Sequence, residues 1–350
     1  MKVKLGEYIQ EYSVRNKANE DIPVYSVTNT QGFCQDYFGK EVASKDKSTY
    51  KIVPRGYFAY NPSRINVGSV DWQRDEDQVI VSPLYNVFSV SPELNQQYLY
   101  YYLKSDFALH RIKAAATGSV RDNLKLEMLK NFPIRIPRVE EQEYIVQVLD
   151  KAKNIINLRR NELQKLDDLI KARFVEMFGE DIKQSNMTIA DIAEETTVGI
   201  ANSATHAYSE SGVVMLRNQN IRVNYLDDRD LIYIKQDFAE KYKNKALHEG
   251  DILVTRTGAN VGMACIVPKK YEGCQTFTTL ILRLRKDISI SPIFVCHYIN
   301  SPLGKSFVDE NKIGGGQPNF GAKQLSIMPI VVPSEEKQIA FDLFVNQVDK

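Results

Sequence analysis

From Glu140 to Phe178 the chain contains no proline and no glycine, and Leu149, Ile156, Leu163, Ile170 and Met177 recur at every seventh position. Ile145, Ala152 and Leu166 fill most of the companion row, which Arg159 and Arg173 interrupt, and Val148, Ile155 and Leu169 widen the apolar stripe. A seven-residue apolar repeat held this long predicts one long helix with a helical partner. Pro133 and Pro137 bar an earlier start, because proline cannot donate to the helical ladder. Gly179 is expected to end the helix. At about 1.5 Å per residue the rod is roughly 55–60 Å long. That exceeds what one compact domain needs, so the stretch is taken as a spacer between two domains; a long core helix is the plainer alternative.

On either side the pattern is short and β-rich. Ile22–Val27, Gly56–Tyr60 and Val79–Val81 carry the β-branched and aromatic residues of half-buried strands. Tyr98–Lys104 follows as a helix, Gly118–Asn123 as a polar loop, and Pro133–Pro137 as an extended lead into the rod. Residues 181–333 repeat this programme. Gly56-x-x-x-Tyr60 to Val67-Gly68 matches Gly250–Val254 to Val261-Gly262, with the same spacing between the two glycines. Tyr102 pairs with Tyr298, Ser105 with Ser301, Gly118 with Gly314, Asn123 with Asn319, Leu129 with Leu325 and Gln142 with Gln338, and Pro133–Pro137 pairs with Pro329–Pro333. An ordered series in constant register predicts a duplicated unit of globular domain plus helix. The expected organisation is a first domain at 1–138, a spacer helix at 139–180, a second domain at 181–333 and the start of a second helix at 334–350. That last helix is expected to be short, whether truncated or completed by a partner's helix.

Composition changes this picture little. At 350 residues, 43% hydrophobic and 25% charged, the chain suits two globular domains. No apolar run is long enough to span a bilayer, and the first residues lack a signal peptide's apolar core, so a cytoplasmic location is expected. Cys34, Cys265, Cys274 and Cys296 show no disulfide or metal spacing. Residues 1–138 hold 19 basic and 15 acidic side chains, whereas 139–180 hold 7 and 9. The acidic rod is therefore a poor phosphate binder, and DNA affinity, where present, must come from local patches.

Catalytic motifs are missing. Asn61-Pro62-Ser63-Arg64 lacks the second proline and the aromatic of an adenine methyltransferase motif, and Gly258–Gly262 lacks the lysine of a phosphate loop. Gly314–Gly316 is either a loop that admits a phosphate or a flexible turn. His110, His206, His248 and His297 are scattered, and Glu310-x-Lys312 is a common tripeptide. Tyr98, Tyr100, Tyr101 and Tyr102 are spaced for core packing more readily than for base stacking. What remains are amide- and arginine-rich loops at equivalent places in both halves. The first half offers Asn61, Arg64, Asn66, Arg121, Asn123 and Lys125. The second offers Arg217, Asn218, Gln219, Asn220, Arg256, Thr257, Asn260, Gln317, Asn319 and Lys323. Arginine pairs with guanine and Asn or Gln with adenine in the major groove, and lysine suits phosphates. Each residue alone is an ordinary loop residue; the repeated set favours recognition.

Two diverged domains, each ending in P-I-x-[IV]-P, then E-x-Q or E-K-Q and a long helix, resemble the specificity subunit of Type I restriction-modification systems. The resemblance rests on Gly250–Val254 with Val261-Gly262, and on Pro133–Gln142 with Pro329–Gln338. It implies an α+β architecture of two target recognition domains joined by helices that pair as an antiparallel coiled coil, here through Leu149, Ile156, Leu163, Leu166, Ile170 and Met177. It implies that each domain binds half of a bipartite double-stranded DNA site, and that the rod sets the gap. It further implies two modification subunits, which carry the adenine methyltransferase and S-adenosylmethionine, and restriction subunits, which use ATP and magnesium. The chain itself would hold no catalytic centre, cofactor or metal and meet no membrane. A stand-alone methyltransferase or nuclease, or a tandem protein-interaction scaffold, are the competing readings.

Overall fold

The computed structural model of the chain describes residues 2–35, 46–116, 123–201, 204–314, 316 and 318–348. It divides into two units, residues 1–158 and 159–350, with the cut inside a long helix.

In the first unit, β1 (Ile9–Glu11), β2 (Phe58–Tyr60), β3 (Val70–Trp72) and β4 (Asn86–Val90) form an antiparallel sheet in the order β1-β4-β2-β3. Phe58, Tyr60 and Phe88 point into one apolar core, and Ala59 and Val87 into another. A sheet covered on both faces needs apolar residues at consecutive positions, which is why β2 is continuously hydrophobic. The first face carries α1 (Gln96–Lys104), α2 (Asp106–Ala115) and α3 (Leu126–Lys130). The other is covered by a ladder of Lys51–Pro54 with Gln78–Val81. Helix α4 (Val139–Gln184) follows.

The second unit repeats this frame. Its strands β5 (Ala193–Val198), β6 (Ile252–Val254), β7 (Ala264–Ile266) and β8 (Leu280–Leu284) are ordered β5-β8-β6-β7. The helices of this frame are α5 (Pro292–Asn300), α6 (Pro302–Asn311), α7 (Ala322–Ser326) and α8 (Glu335–Val348). Phe58 lies opposite Trp72 and Phe88, and Ile252 opposite Ile266 and Leu282, so all three strands keep one register. The paired glycines are conformational equivalents: φ is 85° at Gly56 and 86° at Gly250, and 89° at Gly68 and 83° at Gly262. These left-handed turns favour glycine, which has no Cβ to clash. Ser105 and Ser301 cap α2 and α6, their side chains accepting from Ala108 N and Gly304 N at 3.2 Å.

The units differ beyond this frame. The first adds a hairpin, Ser26–Thr28 with Gly32–Cys34. The second adds a four-stranded sheet of Tyr208–Ser209, Ile232–Ile234, Val213–Arg217 and Gln275–Phe277.

Three expectations are corrected. Helix α4 does not end at Gly179. Ile182 is only 4% exposed and shares the core with Phe174 and Phe178, so burial carries the helix on. A Cβ at Gly179 would lie 3.3 Å from Val175 of the same helix and at an ordinary contact distance, 4.0 Å, from Leu303. The buried seam of the last turns is Ile170, Phe174, Phe178 and Ile182, while Met177 is only half-buried. The phenylalanines take over because they stack into Phe294, Tyr298 and Phe341. Here α8 runs antiparallel to α4, with Lys337 on Asp181 at 2.8 Å and Phe341 beside Phe174 and Phe178. Leu149, Ile156 and Leu163, by contrast, are 38%, 50% and 50% exposed. Finally, α2 was not expected: its apolar positions are few, and only the Ser105 cap announces it.

Candidate nucleic-acid interface

After β2 and β6 the chain enters two equivalent loops, 61–69 and 255–263, each closed by a left-handed glycine. Each meets a second loop through the same backbone bond: Leu124 N to Pro62 O at 3.1 Å, and Phe320 N to Arg256 O at 2.8 Å. Phe320 and Leu124 are fully buried, which anchors these crossings on the core. Tyr60 strengthens the first, its hydroxyl donating to Leu124 O at 3.0 Å, and burial pushes its phenol pKa up.

Polar side chains gather at the crossings. In the first unit Ser63 Oγ donates to Asn123 Oδ1 at 2.6 Å, and Asn61 Oδ1 accepts from Ser63 N at 3.0 Å. Asn61 and Arg64 line a cavity of about 90 Å³ with Ser26, Thr28, Ser69 and Tyr85. Arg64 and Lys125 are exposed and Asn66 is half-buried. In the second unit Arg256 Nε donates to Asn319 Oδ1 at 3.1 Å, and Asn218 Nδ2 to Thr257 Oγ1 at 3.2 Å. A β-bridge joins Thr257 to Asn319. Asn218, Arg256, Thr257 and Asn319 therefore form one cluster, with exposed Asn260 on the same loop and exposed Lys323 at the start of α7. Asn218 Oδ1 is buried without a hydrogen-bond partner among the described residues, an acceptor left open beside Thr257.

Asn220 faces inward instead, and the half-buried Arg217 is tied to the same loop. Asn220 is 1% exposed. Its Oδ1 accepts from Arg217 N, and its Nδ2 donates to Asp227 O and Arg229 O, each at 3.0 Å. Arg217 spends a guanidinium nitrogen on Asp230 O at 2.6 Å. Asn220 is thus the knot of the 217–230 loop and is not available to a base edge, and Arg217 braces it. Arg121 and Gln317 lie outside the described residues. Pattern reasoning passed over Arg222 and Arg229, which share the carboxylate of Asp227 at 3.1 and 2.7 Å. Hydrogen bonds from Arg229, with its charge and that of Arg222, hold Asp227 well below the usual carboxylate range. An Asp-x-Arg spacing was the only signal, and it is common in any loop.

No group of three or more His, Cys, Asp or Glu that could hold a metal occurs among the described residues. No described helix is long and apolar enough to cross a membrane. The four cysteines are free thiols.

Two like modules in tandem, each presenting a polar loop crossing on a common sheet-and-helix frame, define a duplicated α+β architecture. A profile of the family described as "Type I restriction modification DNA specificity domain" matches the chain twice, over residues 2–168 and 183–349. The chain belongs to that family. It is 19% identical to the Type I restriction enzyme EcoKI specificity subunit of Escherichia coli K12, over 69% of this chain and 56% of that protein. It is 22% identical to the Type I restriction enzyme MjaVIII specificity subunit of Methanocaldococcus jannaschii, over 73% and 64%. The chain thus spans 56% and 64% of these relatives' lengths. The Type I restriction-modification S subunit from M. genitalium aligns over 100% of this chain and 89% of its own, with TM-score 0.54 and 14% identity. A chain from a structure of Type I R-M complex assembly and conformational transition aligns over 100% and 90%, with TM-score 0.54 and 17% identity. At such identities the likeness concerns the fold.

Proposed function

We propose that this chain is the subunit that gives a Type I restriction-modification complex its DNA sequence specificity. Each unit contacts one half of a bipartite double-stranded site through its loop crossing. Two modification subunits supply S-adenosylmethionine and adenine methylation, and restriction subunits supply ATP-driven cleavage, so the chain contributes position rather than chemistry. The observation that carries this reading is the repetition of the crossing. The same backbone bond recurs in both units, with Ser63 and Asn123 at one and Arg256, Thr257 and Asn319 at the other. Two frames that agree while their exposed side chains differ suit two readers of different sequences.

The test is the methylation pattern of cells carrying this chain with its modification subunits. Arg256→Ala or Asn319→Ala is expected to relax one half-site by about 1–3 kcal/mol per lost base contact and leave the other half intact. Equal weakening of both halves would assign these residues to the backbone and sink the assignment.

A further inference from the structure

Beside the first unit's loop crossing lies the cavity of about 90 Å³ that Asn61 and Arg64 share with Ser26, Thr28, Ser69 and Tyr85. Its hydrogen-bond donors are largely unused. The Arg64 guanidinium makes no hydrogen bond or ion pair among the described residues, and the Ser26 and Ser69 hydroxyls and Asn61 Nδ2 donate to nothing there. Ser69 is 2% exposed, Thr28 5% and Tyr85 8%. Thr28 Oγ1 accepts from Gln31 N at 3.0 Å and the Tyr85 hydroxyl from Val27 N at 3.4 Å, so both keep a proton to donate. No described carboxylate lines the space. An exposed arginine is ordinary by itself; a walled space ringed by donors without acceptors is not.

A second cation stands behind the wall. Lys104, half-buried at the end of α1, donates to Asn29 O at 3.1 Å and to Gly68 O, the carbonyls next to Thr28 and Ser69 in the chain. Burial pushes its pKa down, and the carboxylate that acts on it, Asp71, is already held by Arg74 at 2.9 Å. The second unit shows that this joint needs no charge. With a shift of 196 residues Lys104 corresponds to Asn300, whose Nδ2 donates to Ala264 O at 2.8 Å and Asn224 Oδ1 at 2.7 Å. Counted from the paired glycines, Arg64 corresponds to Gly258 and Ser69 to Met263. Both charges and the buried hydroxyl therefore belong to the first unit alone.

Size and charge select the occupant. A volume of about 90 Å³ is room for roughly three waters at about 30 Å³ each. Benzene occupies a cavity of about 150 Å³, so a nucleobase is too large and a compact oxyanion is not. The oxygens of a phosphoryl group accept from several donors at once, and bonds to an ionised group are stronger than those to water. We infer that this cavity is an oxyanion site of the first unit, holding a phosphoryl group on Arg64 and the Ser26, Ser69 and Asn61 donors with Lys104 behind it. The site stands without the DNA reading. A free phosphoryl compound and a DNA phosphate present the same chemistry, and the test separates them.

The probe is inorganic phosphate, titrated into the full chain and followed by the width of its phosphorus NMR line, with chloride holding the ionic strength constant. The native chain is expected to broaden the line. Arg64→Gln is expected to weaken binding about tenfold or more, the loss of one charge-assisted contact. Lys104→Asn, which copies the second unit's joint, is expected to weaken it about threefold, the size of one partly screened charge. Arg64 is exposed, so its variant tests the site whatever Lys104→Asn does to the fold. Arg160→Gln, which removes the same charge from an exposed position of α4, is expected to change nothing. No broadening, undiminished binding by Arg64→Gln or by folded Lys104→Asn, or an equal loss in Arg160→Gln would each overturn the proposal. A random duplex is then added to the phosphate-loaded chain, its binding followed by gel shift. Phosphate released as DNA binds assigns the site to the DNA backbone, and phosphate retained on the DNA-bound chain assigns it to a free phosphoryl compound.

Discussion

One buried amide ties each long helix to its own unit. Gln142 is fully buried; its Oε1 accepts from Asn95 N at 2.8 Å, and its Nε2 donates to Glu93 O and Pro137 O, both at 2.8 Å. Gln338 does the same with Ser291 N at 2.6 Å, Ser289 O at 3.0 Å and Pro333 O at 2.8 Å. A carboxylate or an apolar group of this size would leave buried backbone groups unpaired. Gln142→Ala and Gln338→Ala are each expected to cost about 2–3 kcal/mol, read as a lower midpoint in urea unfolding, because backbone partners are stranded. Gln142→Glu is expected to cost as much, since it loses both donors. This pair was legible as a repeat of two glutamines, yet its role was not, because the bonds join residues 47 apart in sequence.

At the scale of elements, the packing of α4, α5 and α8 contains a titratable group. His297 is 7% exposed and its ring meets Phe341 edge-on at 5.5 Å. Burial pushes its pKa down to about 4 from the ordinary 6.5. The folded state therefore binds fewer protons than the unfolded one. Its contribution to stability is complete above about pH 6.5 and is lost as the pH falls from there towards about 4, by up to about 3 kcal/mol. Melting temperature measured between pH 7.5 and 4 is expected to fall over that window, and His297→Phe to flatten the fall. Helix existence and approximate start were evident from the heptads and the prolines. The end was not, because a glycine that stops an isolated helix is carried inside one when residues beyond it, here Ile182, are buried against the core. Likewise the switch from a seven-residue to a four-residue seam depends on the aromatic partners Phe294 and Phe341, distant in sequence.

At the scale of the whole molecule, the proposal makes the chain a pair of readers joined through α4. Removing seven residues, two helical turns, from the exposed part of α4 keeps the apolar stripe in phase. The deletion is expected to shorten the unread gap in the methylated sequence while leaving the half-sites themselves unchanged. An unaltered gap in sequenced methylated genomes would refute a spacing role.

The amino-acid order by itself determined that the chain is duplicated, where the long helix lies and which loops are polar in both halves. Periodicity, turn glycines and caps are local, and a repeat multiplies each weak local signal. Only the tertiary structure decided which polar residues face outward. Asn220 and Asn218 are two positions apart and of one type, yet the first is closed inside a loop and the second joins Thr257, its Oδ1 without a partner among the described residues. That choice is made by contacts across tens of residues, where burial sets a high cost on any polar group without a partner, and a linear pattern carries no record of which partner will be near.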